Sequence, residues 1–300
     1  MIFRIHRKKL SAKQNERDAV KVITRDGCSI ITATPRHGIL GAVVSDVGCL
    51  RSNNEDNYVL GESMNANASD HSEDSLTVTK TMGTWQLAGV FDGMGGGEMG
   101  ELASGDTARI FRDTFASLNG SAGKDWIDQC IRIAFLKANN AIVDLQKEYK
   151  VFGTTGTVIC TNGAEFKIYH LGDSRAYLVR DNRLQQLTKD QTLAQMKIDV
   201  GMYREDDPAA EVDKHKLTEY IGRDRTKENI KPVESRWIPV QSEDVVLLCS
   251  DGLYDMCADG EISRILQDSG SPSEKAADLV QNAISKGGED NVTCVVITFN

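Results

Sequence analysis

The sequence predicts an α+β fold in which antiparallel β-sheets are covered by helices. Short runs at 157–160, 166–170, 176–179 and 184–187 read as strands of a meander, joined by turn residues such as Asn162-Gly163 and Asp181-Asn182. Two longer stretches, 102–118 and 127–149, carry apolar residues at helical spacing. Asn119-Gly120-Ser121-Ala122-Gly123 separates them, so they are expected to pair antiparallel. Strands thus come in meanders and helices in pairs, whereas a doubly wound parallel sheet would alternate the two.

In chain order, residues 1–37 read as a basic N-terminal arm with a small hairpin around Arg25-Asp26-Gly27. Residues 38–300 show no repeat and no internal boundary, and read as one domain. Within it, 39–45 is a buried strand, 46–56 a polar loop and 57–60 a second strand. Residues 61–83, rich in Ser, Asn, Asp and Thr, read as a surface loop. Its Asp70, His71, Glu73 and Asp74 would bind a cation or simply be solvated. The apolar strand 85–91 runs into Asp92-Gly93-Met94-Gly95-Gly96-Gly97. Beyond the helix pair and the meander, 189–235 is polar, irregular and too long for a plain connection, so a functional loop or flap is expected. A strand at 245–249, helices at 261–267 and 274–286, and a strand at 292–299 complete the chain.

The net charge is −9, and eight Lys or Arg side chains are crowded into residues 1–25, so the remaining chain is strongly acidic. That balance argues against nucleic acid or an anionic membrane as the main partner. Seven cysteines form no Cys-x-x-Cys pair and read as buried reduced thiols. No stretch approaches the ~18 apolar residues of a membrane span, and the basic N-terminus lacks an apolar h-region. A cytoplasmic protein is expected.

The chemistry gathers at strand ends. Asp92-Gly93 ends a buried strand, where a carboxylate and a neighbouring carbonyl suit a hard, oxygen-loving cation, although Asp-Gly is also a common turn. Gly172-Asp173-Ser174-Arg175, Ser250-Asp251-Gly252 and Glu289-Asp290-Asn291 repeat the pattern, and Arg51-Ser52-Asn53-Asn54-Glu55-Asp56 adds a cation beside two carboxylates. One such feature is a turn; five at strand ends suggest a shared rim.

These motifs, with Gly153-Thr154-Thr155, Leu187-Thr188-x-Asp190 and Leu217-Thr218-x-x-Ile221-Gly222, resemble the metal-dependent Ser/Thr protein phosphatases of the protein phosphatase 2C type, in the family order. The Asp-Gly-Met-Gly-Gly form resembles the bacterial branch. The resemblance covers about residues 38–300 and implies a four-layer α-β-β-α sandwich. It also implies hydrolysis of phosphoserine and phosphothreonine in proteins by a water bridging two Mn²⁺ or Mg²⁺ ions. Asp92 would touch both ions, the Gly93 carbonyl would hold one, and Asp251 and Asp290 the other. Glu55 and Asp56 would orient bound waters, and Arg51 would receive the phosphate unless it only balances those two carboxylates. Asp173 resembles the residue that binds a third, weaker ion in bacterial relatives, or else organises a turn with Ser174 and Arg175. Thr154 and Thr155 read as packing and turn residues. Phosphoprotein substrates and a cognate Ser/Thr kinase pathway are the implied partners, and a monomer is expected.

The chain departs from the family pattern at three places. Met94 stands where Asp-Gly-His members carry an imidazole, which removes the usual general acid. Gly97 and Gln191 occupy positions where bacterial relatives often have His, which puts the cleft wall in question. A catalytically weak relative that binds phosphoproteins or a partner is therefore the alternative reading, and hydrolysis of a small phosphate ester is a third.

Overall fold

The computed structural model describes residues 38–65, 85–95, 98–118, 122–148, 151–224 and 230–299, together with the backbone at 18–25, 28–35 and 71–78. The chain divides into two units, residues 1–36 and 37–300. In the first, strands Asp18–Arg25 and Cys28–Pro35 pair antiparallel, with Arg25 opposite Cys28.

The second unit is built on strands β1 (Ile39–Asp46), β2 (Asp56–Leu60), β3 (His71–Val78) and β4 (Gln86–Met94), followed by helices α1 (Glu98–Ser117) and α2 (Lys124–Leu145). The meander follows as β5 (Gly156–Thr161), β6 (Glu165–Leu171), β7 (Arg175–Arg180) and β8 (Arg183–Gln186). Short helices α3 (Leu193–Asp199) and α4 (Pro208–Asp213) interrupt the polar segment. Then come β9 (Val245–Cys249), α5 (Asp251–Tyr254), α6 (Asp259–Gln267), α7 (Pro272–Ser285) and β10 (Val292–Phe299).

Among the described residues, one sheet has the order β8-β7-β9-β10-β1-β3 and the other runs β6-β5-β4-β2, extended by two-residue strands at its margins. Every pair among these strands is antiparallel. The four layers are visible in the packing. Val43 joins Tyr58, Val90, Ile168, Val246 and Phe299 between the sheets. Ile127, Ile131, Phe135 and Ile142 of α2 lie against the outer face of the second sheet, and Ile262, Leu279 and Val280 of α6 and α7 against the first. β10 is buried along its whole length, as a strand covered on both faces must be, and its sequence is accordingly an almost continuous apolar run.

One part of this core matters directly for the site. Phe91, Phe111 and Phe135 form a ring series with centroids 5.2 and 4.9 Å apart, tying β4 to α1 and α2. Burying each such side chain contributes about 1.5–3 kcal/mol, so the strand end that carries Asp92 is held from below by apolar packing.

The sequence-based boundaries need three revisions. The segment expected as a loop at 61–83 contains β3, an edge strand in which Glu73 faces Val44 and Asp74 faces Val43 in register. Its composition is too polar to show a buried face, and backbone pairing with β1 decides its structure; Asp70 lies outside the described residues. β4 continues past Phe91, the expected end, through Met94. The 189–235 segment holds two helices, each capped by an acceptor at its start, Thr192 and Asp207. Among the cysteines whose burial is described, Cys160, Cys249, Cys257 and Cys294 are buried as expected, whereas Cys130 is half-buried and Cys49 is exposed; the side chain of Cys28 lies outside the described residues. No described helix is long and apolar enough to cross a membrane.

Candidate active site

β4 delivers Asp92 to the floor of a cavity of about 330 Å³. Its backbone is clamped on both sides. The Asp92 amide donates to Thr155 Oγ1 (2.9 Å), and its carbonyl accepts from the Thr155 amide (2.8 Å) and the Thr154 hydroxyl (2.8 Å). Thr154 and Thr155 are therefore positioning residues for Asp92 as well as packing residues. Gly93 is needed at the next position because a Cβ there would lie 2.2 Å from the Gly100 carbonyl oxygen and 2.6 Å from that of Glu55.

Around Asp92 the cavity is lined by Arg51, Glu55, Asp173, Asp251 and Asp290, with Met94, Thr155, His215 and Asn291. Residues from positions 51 to 291 thus meet at the ends of β4, β9 and β10 and on the loop before β2. Asn291 joins two of these pieces. Its Oδ1 accepts from the Glu55 amide (2.8 Å), while Nδ2 donates to the carbonyls of Val47 (2.9 Å) and Asn53 (3.0 Å). In the sequence Asn291 shows only as part of a motif, because its role depends on contacts 236 to 244 positions apart.

Asp56 is placed differently from the other candidates. It is 2% exposed and sits beneath the cavity, where Ser250 Oγ donates to its Oδ2 at 2.6 Å. It steadies the residue before Asp251 and is not among the cavity-lining side chains, whereas Glu55 is. Arg51 reaches across the rim, with Nη2 2.6 Å from Asp290 Oδ2. Its side chain is 51% exposed and that of Asp290 35%. Such an exposed pair contributes about 0.2–1 kcal/mol, so little holds Arg51 to Asp290.

Asp173 is buried at the cavity wall, held by its neighbours. Ser174 Oγ lies 2.6 Å from Thr155 Oγ1, and Arg175 forks onto Asp190 while stacking on Tyr254, whose hydroxyl donates to the Asp173 carbonyl (3.2 Å). Asp173 itself lines the cavity.

The electrostatics are those of crowded carboxylates. Burial, then Asp251, Asp56, Asp173 and Asp290, push the Asp92 carboxyl well above the usual range. Burial and Asp251 do the same to Asp173, and burial raises Asp290 and Glu55. Asp56 is pushed up to about 7, mainly by burial, against the lowering effect of the Ser250 and Thr293 hydroxyls. A site that concentrates negative charge in this way is built to be neutralised by cations.

Residues 48–197 match the sequence model of the family described as Protein phosphatase 2C. The chain belongs to that family.

The serine/threonine phosphatase stp of Listeria welshimeri is 31% identical over 233 residues, covering 77% of this chain and 91% of the relative. The serine/threonine protein phosphatase PstP of Mycobacterium tuberculosis is 33% identical over 259 residues, covering 85% of this chain and 44% of the relative. Among solved structures, the catalytic domain of PstP in complex with two manganese ions has a TM-score of 0.67 at 30% identity, covering 87% of this chain and 99% of that one. The S. agalactiae serine/threonine phosphatase has a TM-score of 0.73 at 24% identity over 87% of this chain and 99% of that one, a likeness of fold.

The three departures from the protein phosphatase 2C pattern fall in different places. Met94 lines the cavity. Gly97 lies outside the described residues. Gln191 does not line the cavity. Its Oε1 accepts from the Gly172 amide (2.8 Å) and its carbonyl from the Thr218 amide (2.8 Å), so it ties the loop before Asp173 to the middle of the 189–235 segment. The imidazole at the cavity is His215, which the sequence does not reveal. Its Nδ1 is 3.5 Å from Asp251 Oδ2 and its Nε2 is 3.7 Å from Asp255 Oδ2. The adjacent Asp251 carboxylate raises the His215 imidazole above its ordinary value, against the effect of burial.

Proposed function

We propose that this protein hydrolyses phosphoserine and phosphothreonine in proteins with the help of two divalent cations, Mn²⁺ or Mg²⁺. The observation that carries the reading is the convergence of Asp92, Asp173, Asp251 and Asp290 on one cavity with Arg51 at its rim. The donor set fits hard cations, because carboxylates and a backbone carbonyl favour Mg²⁺ or Mn²⁺ over metals that prefer nitrogen or sulfur. Asp92 with the Gly93 carbonyl would hold one ion, and Asp92 with Asp251 and Asp290 the other; Asp173 is the candidate for a third. When bound, such ions polarise phosphoryl oxygens and supply a strong oxygen nucleophile at neutral pH.

The chain's own residues do the rest. Thr154 and Thr155 fix the Asp92 backbone, and Asp56 through Ser250 fixes the start of α5. Arg51 leaves Asp290 to take the phosphate as a planar fork. Six free cysteines among the described residues fit the reducing cytoplasm, where an opposing Ser/Thr kinase would act. A phosphopeptide assay with Mn²⁺, with Mg²⁺ and with EDTA tests the reading. Turnover should require the metal; phosphopeptide binding without turnover under any metal would favour the regulatory-module alternative.

A further inference from the structure

Asp173 follows a glycine, and that glycine decides how firmly it is held. Gly172 is buried and lies at φ +106°, a region that side chains avoid. A Cβ there would also lie 2.7 Å from Thr155 Cβ. A residue without a Cβ turns freely, so Gly172 is a natural pivot for Asp173. One residue removes that freedom. Gln191 takes both backbone groups of Gly172: its Oε1 accepts from the Gly172 amide and its own amide donates to the Gly172 carbonyl, each at 2.8 Å.

The same segment grips the chain beyond Asp173. Arg175 Nε (2.9 Å) and Nη2 (2.7 Å) fork onto the Asp190 carboxylate. Asp173 therefore sits between two anchors, Gly172 and Arg175, held by the consecutive residues Gln191 and Asp190. Gln191 is itself fixed from the other side. The Thr218 amide (2.8 Å) and hydroxyl (2.9 Å) both donate to its carbonyl, and Thr218 follows Leu217, which lines the catalytic cavity with Asp173. The bonds that Ser174 makes with Thr155 and Thr157, and that the Asp173 carbonyl makes with Tyr254, begin only after the pivot. Of the two Gly172 bonds, the one through Oε1 depends on the Gln191 side chain. Without that acceptor the Gly172 amide would stay buried and unpaired, which is costly. A small turn of the pivot relieves the loss and carries Asp173 with it.

We propose, on the reading of the cavity as a divalent-cation centre, that Gln191 is a positioning residue for Asp173. It locks Gly172 so that Asp173 is offered to a third ion, and it makes occupancy of that position depend on the 189–235 segment. Gln191 does not line the cavity, so its effect on metal runs through Asp173 alone. Asp92 is fixed separately by Thr154 and Thr155, so the ions at Asp92, Asp251 and Asp290 do not need Gln191.

The test counts ions rather than turnover. The full chain is titrated with Mn²⁺, and free Mn²⁺ is followed by electron paramagnetic resonance in wild type, Gln191→Leu, Asp173→Ala and the double variant. The expected result is a weak ion in wild type that Asp173→Ala lacks. In Gln191→Leu that ion is weakened at least about tenfold, while the tighter ions keep their affinity. Gln191→Leu should change nothing further in the Asp173→Ala background, because two residues that act through one ligand are not additive. The backbone bonds of Gln191 survive the substitution. Gln191→Asn, whose shorter side chain draws the acceptor away from Gly172, takes its place if thermal melts show Gln191→Leu to be unfolded. An unchanged weak ion in the Gln191 variant, or an equal loss of the tighter ions, overturns the proposal and leaves the metal centre standing. Equal ion counts in wild type and Asp173→Ala overturn the reading of Asp173 as an ion ligand, and the proposal with it.

Discussion

Asp56 and Asp92 stand directly opposite each other across β2 and β4. Opposed residues of an antiparallel pair project to the same face, so two carboxyl groups share the lower part of the site. This arrangement has a cost in the absence of metal. Asp56 is pushed up to about 7, and Asp92, Asp173 and Asp290 are raised with it. A carboxyl whose folded value lies above its unfolded one favours the fold while protonated. That advantage is complete below the unfolded value, about 3.9, and is lost as pH rises through the folded value.

The EDTA-treated protein should therefore gain more in Tm from Mn²⁺ at pH 7.5 than at pH 5, taking those as roughly the ends of the titration window. The difference between the two metal conditions is the quantity to measure, because the buried His170, lowered to about 4, acts in the opposite direction in both. A Mn²⁺-dependent gain that does not grow with pH would mean that these carboxyl groups are not what the cation neutralises.

Asp92→Asn should abolish phosphopeptide turnover yet raise the Tm of the metal-free protein. The amide removes a buried charge that faces Asp251, Asp56, Asp173 and Asp290, at the expense of the function that needs it. Thermal melts in EDTA and a Mn²⁺-dependent assay give the two readings. A variant that is less stable without metal and still active would reduce Asp92 to a turn residue.

Arg51→Ala is expected to raise KM for phosphopeptide by roughly tenfold to a hundredfold, the equivalent of about 1.5–3 kcal/mol for a hydrogen bond to a charged group. Metal affinity should change little, since the Arg51–Asp290 pair is exposed and weak. An unchanged KM with weakened Mn²⁺ binding would assign Arg51 to supporting Asp290.

Gly93→Ala tests the close approach beneath the site. Its Cβ would meet backbone oxygens of Gly100 and Glu55, which cannot rotate away as a flexible side chain could. Overpacking of this kind costs about 1–3 kcal/mol or more, so denaturant melts should show a clear loss of stability, with Gly123→Ala, where a Cβ meets nothing within 4 Å, as the control. Equal stability of the two variants would show that α1 shifts freely away from β4.

What the sequence reveals and conceals follows from the range of each interaction. Asp92, Asp251 and Asp290 are legible because each follows or precedes a buried apolar strand and has Gly or Asn beside it, a local signal. The helix pair is legible because Ile127, Ile131, Phe135 and Ile142 repeat at the helical period. His215 is not, since nothing near it in the chain announces Asp251 or Asp255 and only the path of the 189–235 segment brings them together. β3 is hidden because His71–Val78 has the composition of a loop and becomes a strand through pairing with β1. Asp56 groups with Glu55 in sequence because the two are adjacent, although strand geometry turns Asp56 down to Ser250 while Glu55 lines the cavity.

Met94 supplies the last prediction. Cleavage of phosphoserine or phosphothreonine expels an alkoxide, which needs a proton as the P–O bond breaks, whereas a nitrophenolate leaves without one. Met94 lines the cavity and has no proton to give. A positioned acid contributes typically about 10²–10⁴-fold. Met94→His should therefore speed phosphopeptide hydrolysis relative to p-nitrophenyl phosphate, and should add a basic-side limb to the phosphopeptide pH profile as the new imidazolium loses its proton. The measurement is kcat/KM for both substrates across pH in saturating Mn²⁺. Equal effects on the two substrates would show that the side chain at 94 shapes the cleft and takes no part in proton transfer.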